Sequence, residues 1–183
     1  MWALQRLEVE VNHASYEASL YGPLCAMFTV VFPVHQQFLV KPQACIRKAD
    51  NGNLRHRRPA FDSYGRRVAK SALIYPDFVV CRGHAQPSRD IAILVVEVKL
   101  KDENFEAAMN QLDRYLTSMT RNRPAPLANV PIFGMLVQGP STTLVKTLPG
   151  VFETIDTVET SGPQLFSFLC QISAYSLYHW PNH

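Results

Sequence analysis

Residues 71–100 read SALIYPDFVVCRGHAQPSRDIAILVVEVKL. Two apolar, β-branched runs, 71–81 and 90–100, are too short for most helices and read as strands. Residues 83–89 between them are few enough to close a hairpin. Three charges interrupt this apolar text. Glu97 and Lys99 lie two apart, so on a strand they share one face. Asp77 stands just after Pro76 in the preceding run, and if the strands pair antiparallel it converges on Glu97. An unpaired buried carboxylate costs roughly several kcal/mol, so it is neutralised, paired or bound to a metal. Two converging carboxylates repel unless a cation lies between them. Mg²⁺ takes such oxygen ligands and keeps waters, one of which can become a nucleophile. A neighbouring ammonium could orient that water or stabilise charge on a phosphate. Taken alone, Glu97–Lys99 reads as a strand-edge ion pair and Asp77 as a strand-end cap. The coincidence of all three with a helix directly downstream points instead to a site.

Downstream, Phe105, Ala108, Met109, Leu112, Leu116 and Met119 recur at helical spacing and predict a helix that ends before Pro124. Residues 132–137 predict a strand, 142–145 and 151–154 two short strands, and 164–178 a closing helix with Pro163 near its start. Upstream, Tyr16, Leu20, Leu24, Met27, Phe28 and Val31 predict a helix over 15–32, which Pro23 either kinks or splits. Residues 38–40 and 44–46 read as a strand interrupted by Pro42, and 50–67 as a loop. The expected order is α-β-β-β-α-β followed by extra strands and a helix, a layered α/β (α+β, mixed-sheet) chain. Its 183 residues fit one domain, 1–183, with a core large enough to stand without disulfides or a structural metal.

Ile74-Tyr75-Pro76-Asp77 and Val95-Val96-Glu97-Val98-Lys99-Leu100, followed by a helix, resemble the PD-(D/E)XK nuclease superfamily with its restriction-endonuclease-like fold. The texture is also similar to fungal members of that superfamily. The resemblance implies hydrolysis of phosphodiester bonds, in DNA more often than RNA, with Mg²⁺ as cofactor and Mn²⁺ as substitute. It implies that Asp77, Glu97 and the backbone carbonyl of Val98 bind the metal and that Lys99 assists the attacking water. Gln111-Leu112-Asp113-Arg114-Tyr115 is similar to the Q-x-x-x-Y motif of the RecB-like branch, which adds Gln111 to the catalytic set and Tyr115 to the substrate side. That branch often carries Gly and Arg around its strand aspartate, where this chain has Tyr75-Pro76-Asp77-Phe78. The family often draws a further glutamate from its first helix, and Glu17, on the apolar stripe of the helix expected over 15–32, is the best match, ahead of Glu8 and Glu10.

Charge is unevenly distributed. The chain carries a net +3, but residues 41–70 hold nine basic and two acidic side chains, a local +7, leaving −4 for the rest. Such a concentration suits a polyanion. Within it Arg55, Arg57, Arg58, Arg66 and Arg67 can fork onto phosphates, and Phe61 and Tyr64 between them can stack bases, so nucleic acid, DNA first, is the expected partner. Four scattered cysteines without a C-x-x-C pair suggest free thiols in a reducing compartment, and no apolar run is long enough to span a bilayer, so an intracellular protein, cytoplasmic or nuclear, is expected. Homo-oligomerisation is left open. No G-x-S-x-G, Walker or G-x-G-x-x-G motif is present. Two rivals stand beside the nuclease reading: a catalytically inactive nuclease-fold protein that binds nucleic acid or protein, and an α/β domain with a chance motif.

Overall fold

The computed structural model describes residues 2–43, 46–47, 59–61, 67–69, 73–86, 89–121 and 123–179. Their elements run α1 (Trp2–His13), α2 (Ala18–Val31), β1 (Phe38–Pro42), β2 (Ile46–Arg47), β3 (Pro59–Phe61), β4 (Arg67–Ala69), β5 (Leu73–Ile74), β6 (Phe78–Arg82), β7 (Ile91–Lys99), α3 (Phe105–Arg121), β8 (Ile132–Gln138), β9 (Ser141–Leu148), β10 (Val151–Glu159) and α4 (Pro163–His179). Six strands form one mixed sheet in the order β1-β6-β7-β8-β9-β10, with the pairs β2–β5 and β3–β4 beside it. This is the mixed-sheet α+β class read from the sequence.

The β6–β7 hairpin is antiparallel, with Phe78 opposite Val96, and a bulge between Val80 and Cys81 leaves Ile93 without a facing residue. β7 then pairs in parallel with β8, Glu97 facing Leu136. A parallel pair needs a crossover, and α3 supplies it. The Arg123 guanidinium ties down the return to β8, donating to the carbonyls of Ala92 (2.9 Å), Leu127 (3.3 Å) and Val130.

The sheet separates two apolar layers. Val96 and Val98 face α1, α2 and α4, packing with Leu7, Leu20, Leu24, Phe28 and Leu169. Val79, Cys81 and Val95 face α3, where Ala108, Leu112, Tyr115 and Leu116 close the second cluster. Each fully buried Leu or Phe of this kind contributes about 1.5–3 kcal/mol. Gly134 on β8 lets α3 approach closely: a Cβ there would lie 2.5 Å from Val145 Cγ2 and 2.7 Å from Leu116 Cδ1.

Several expectations change. Pro23 does not start a second helix; it lies within one continuous α2, among buried Leu20, Leu24, Met27 and Phe28, whose burial outweighs the one lost backbone hydrogen bond. The stripe does not include Tyr16, which is 73% exposed and precedes the helix. α1 was not expected, although Ala3, Leu7 and Val11 recur every fourth residue and bury one face. The run 71–81 is not one strand: β5 and β6 belong to different sheets, and Tyr75-Pro76-Asp77 joins them. The strand around Pro42 likewise divides into β1 and β2. β9 and β10 extend to eight and nine residues, and β10 is exposed except at Val158. The basic segment, read as loop, contributes the short pair β3–β4. Among the described residues no helix is long and apolar enough to cross a membrane.

Candidate active site

Antiparallel pairing of Phe78 with Val96 brings Asp77, one residue before β6, opposite Glu97. Directly opposed residues share a face, so both carboxylates turn toward α3 at the margin of the sheet. The Val98 N–H donates to Asp77 Oδ2 at 2.7 Å, fixing that carboxylate across the hairpin. The Tyr21 hydroxyl, from α2, donates to Asp77 Oδ1. At Val98, then, it is the N–H that has a defined partner in the site.

Glu97 is 2% exposed. Its Oε1 accepts from Gln111 Nε2 at 2.6 Å and lies 2.9 Å from Lys99 Nζ. Its Oε2 is buried and takes no hydrogen bond among the described residues. Loss of water, with the nearby Asp77 charge adding to it and Lys99 opposing, pushes the Glu97 carboxyl up to about 7. Lys99 extends from the end of β7 and also reaches Glu17 Oε1 at 3.1 Å. Burial pulls its ammonium down, but Glu97 and Glu17 together outweigh that and hold it above the ordinary lysine range. Glu17 stands at the N-terminus of α2 and makes no capping bond with its side chain; its carboxylate serves Lys99 instead. Burial raises Glu17, Lys99 lowers it, and Glu103 raises it again.

α3 begins five residues after Leu100, and its second turn delivers Gln111 to Glu97. Gln111 Nε2 also donates to the Tyr115 hydroxyl one turn on, and that hydroxyl donates to the Tyr75 carbonyl at 3.3 Å. Tyr115 is 4% exposed, so its ring belongs to the α3 layer and little of it is open to a substrate. A chain of contacts thus runs from Glu97 through Gln111 and Tyr115 to the backbone just before Asp77.

The structure therefore brings Asp77, Glu97, Lys99, Glu17, Gln111 and Tyr115 together at one corner, where the β6–β7 hairpin meets the starts of α2 and α3. Arg55, Arg57, Arg58 and Arg66 lie outside the described residues, as do Tyr64 and Cys45; Arg67 opens β4. Sequence reasoning missed Tyr21. It stands one turn after Glu17, but an aromatic residue in an apolar helix reads as core, and no signal in the sequence pointed its hydroxyl to Asp77.

A cation fits this donor set. Glu97 Oε2 is an orphaned buried carboxylate oxygen beside a second carboxylate, a combination that calls for positive charge. No group of three or more His, Cys, Asp or Glu side chains able to hold a metal occurs among the described residues. Two carboxylates are what Mg²⁺ needs when it retains several of its waters.

No protein-family model matches the chain, and no curated protein sequence matches it. Among solved structures, a cryoEM structure of a DrdV–DNA complex contains a chain with a similar fold, at 8% sequence identity and a TM-score of 0.50; the match covers 100% of this chain and 14% of that one. At such low identity the likeness concerns the fold alone.

Proposed function

We propose that this chain is a Mg²⁺-dependent nuclease that hydrolyses phosphodiester bonds, in DNA before RNA. The observation that carries the reading is the buried, unpartnered Glu97 Oε2 beside Asp77, with the Lys99 ammonium 2.9 Å from the other oxygen of the same carboxylate. Asp77 and Glu97 would hold the metal, with the Val98 carbonyl as a third, backbone ligand. When bound, it would supply an activated water and neutralise charge on the phosphate.

The chain's own residues have separable tasks. An ammonium has three donors; Glu97 and Glu17 take two of those of Lys99, and the third is left for a water or a phosphate oxygen. Glu17 fixes the direction of that donor. Gln111 holds the Glu97 rotamer, and Tyr115 holds Gln111. The basic segment 41–70 supplies substrate affinity, and along the chain it is followed by β5, which stops at Ile74, three residues before Asp77. The DNA held by the DrdV chain of similar fold supports DNA as the first substrate to try.

The test compares wild type with Lys99→Ala on single- and double-stranded DNA and RNA, each with Mg²⁺ and Mn²⁺. Charge develops on the phosphate mainly in the transition state, so the expected outcome is a cleavage rate lowered by about 10²-fold or more with binding changed only a few-fold. Wild type that cuts none of the four substrates would make the chain a nuclease-fold binding module. A Lys99→Ala variant that cuts as fast as wild type would remove the role given to Lys99.

A further inference from the structure

Asp77 is held from both sides. Val98 N–H binds one oxygen from within the hairpin at 2.7 Å, and the Tyr21 hydroxyl binds the other from α2. The hydroxyl is itself held firmly. The Tyr21 ring meets Phe78 edge-on, with centroids 5.2 Å apart and planes at 70°. Phe28, two turns further along α2, meets the same Phe78 at 5.4 Å and 69°. α2 thus grips the dipeptide Asp77-Phe78 at three points: a hydroxyl on the carboxylate and two ring edges on the phenylalanine. Edge-to-face pairs of this kind add to the stabilisation from buried area, so the phenol is placed by packing before any ligand arrives.

From this geometry we infer that Tyr21 is a positioning residue for Asp77, and that its hydroxyl sets the divalent-metal affinity of the site. The inference rests on the metal site proposed above and goes beyond it, since nothing in that reading requires α2 to touch Asp77. A carboxylate oxygen has two lone-pair directions. With one of each pair occupied by Tyr21 and Val98, the remaining directions of both oxygens are fixed in space, and metal binding does not carry the entropy loss of ordering Asp77. Hydrogen-bonding partners behind metal ligands typically change affinity by about 10–100-fold when removed. Tyr21 and Glu17 are one turn apart, so the first turns of α2 orient both Asp77 and Lys99.

The experiment is a calorimetric Mn²⁺ titration of wild type, Tyr21→Phe and Phe168→Leu, with thermal unfolding of each metal-free protein. Tyr21→Phe removes one oxygen and keeps the ring. It should weaken Mn²⁺ binding by about 10–100-fold while its unfolding midpoint stays close to that of wild type. Phe168→Leu, on α4, removes one ring edge from Phe133 and touches neither Phe78 nor the hydroxyl; it should lower the midpoint and leave Mn²⁺ affinity within about twofold. Equal affinity in Tyr21→Phe and wild type overturns the inference and leaves the metal site standing. Affinity that falls in both variants in step with their stability also overturns it, because metal binding would then follow the stability of the fold and not the hydroxyl. Wild type that binds no Mn²⁺ removes the metal site itself and this inference with it.

Discussion

Glu97 is a carboxylate where an aliphatic side chain would pack well, and the cost appears in its proton affinity. Burial raises it from an ordinary 4.5 to about 7. A group whose folded-state value lies above its unfolded one stabilises the fold fully below the unfolded value and loses that contribution as pH rises through the folded value. The window here runs from about 4.5 to about 7. Glu17 is raised as well and acts in the same direction. In chelator, the midpoint of wild type relative to Glu97→Gln should therefore fall as pH is raised from 4.5 to about 7. A difference between the two that stays constant with pH would mean that folding leaves the proton affinity of Glu97 unchanged. Asp77, Glu97 and Lys99 stood out in the sequence because a charge inside an apolar strand has few inexpensive explanations. Glu17 was reached by another route, the resemblance together with its place on the apolar stripe expected over 15–32, although α2 begins only at Ala18 and Tyr16 is exposed. Tyr21 was not legible, because an aromatic residue in an apolar helix reads as core, and only the folded chain shows its hydroxyl turned to Asp77.

Among the elements, α3 depends most on a single residue of its neighbour. Gly134 leaves room for Leu112 and Leu116 against β8, and a methyl group at that position would stand 2.5 Å from Val145 Cγ2. Gly134→Ala should push α3 outward and cost about 1–3 kcal/mol, read by denaturant unfolding. Because α3 also carries Gln111, the same variant should bind Mn²⁺ more weakly than its loss of stability alone would give. Unchanged stability would show that Val145 and Leu116 can repack. α3 was readable because burial on one face imposes a regular spacing, whereas β7 and β8, buried on both faces, were readable as short apolar runs rich in β-branched residues. The run 71–81 was not, because its composition is uniformly strand-like, and the break at Tyr75-Pro76-Asp77 arises from β5 pairing with β2 while β6 pairs with β1 and β7. Pro23 left two outcomes open for a related reason: local propensity allowed a split there, and burial of the α2 stripe held one continuous helix.

Over the full chain, charge and chemistry occupy different segments. The site is rich in carboxylates: Asp77, Glu97, Glu17 and nearby Glu103 against Lys99. Without a metal such a corner repels a phosphate. Under the proposed function, the local +7 of residues 41–70 is the source of attraction for a polyanion. The topology suits this division of labour. The segment leaves the sheet at the end of β1, returns through the β2–β5 pair, and delivers the chain to Tyr75-Pro76-Asp77. Binding should therefore follow the arginines and cutting should follow the carboxylates. Replacing Arg55, Arg57 and Arg58 together with alanine should weaken nucleic-acid binding and reduce the slope of log affinity against log salt, by about 0.9 for each duplex phosphate that is no longer neutralised. The calorimetric Mn²⁺ affinity of the same triple variant should match wild type, since these side chains are not among the metal-holding groups. Saturating substrate should restore much of its cleavage rate, because the loss lies in ground-state binding. If the salt slope is unaltered, the polyanion docks on another surface and the +7 segment serves some other purpose. If Mn²⁺ affinity falls together with DNA affinity, the segment is part of the metal site's scaffold, and the division between attraction and chemistry fails.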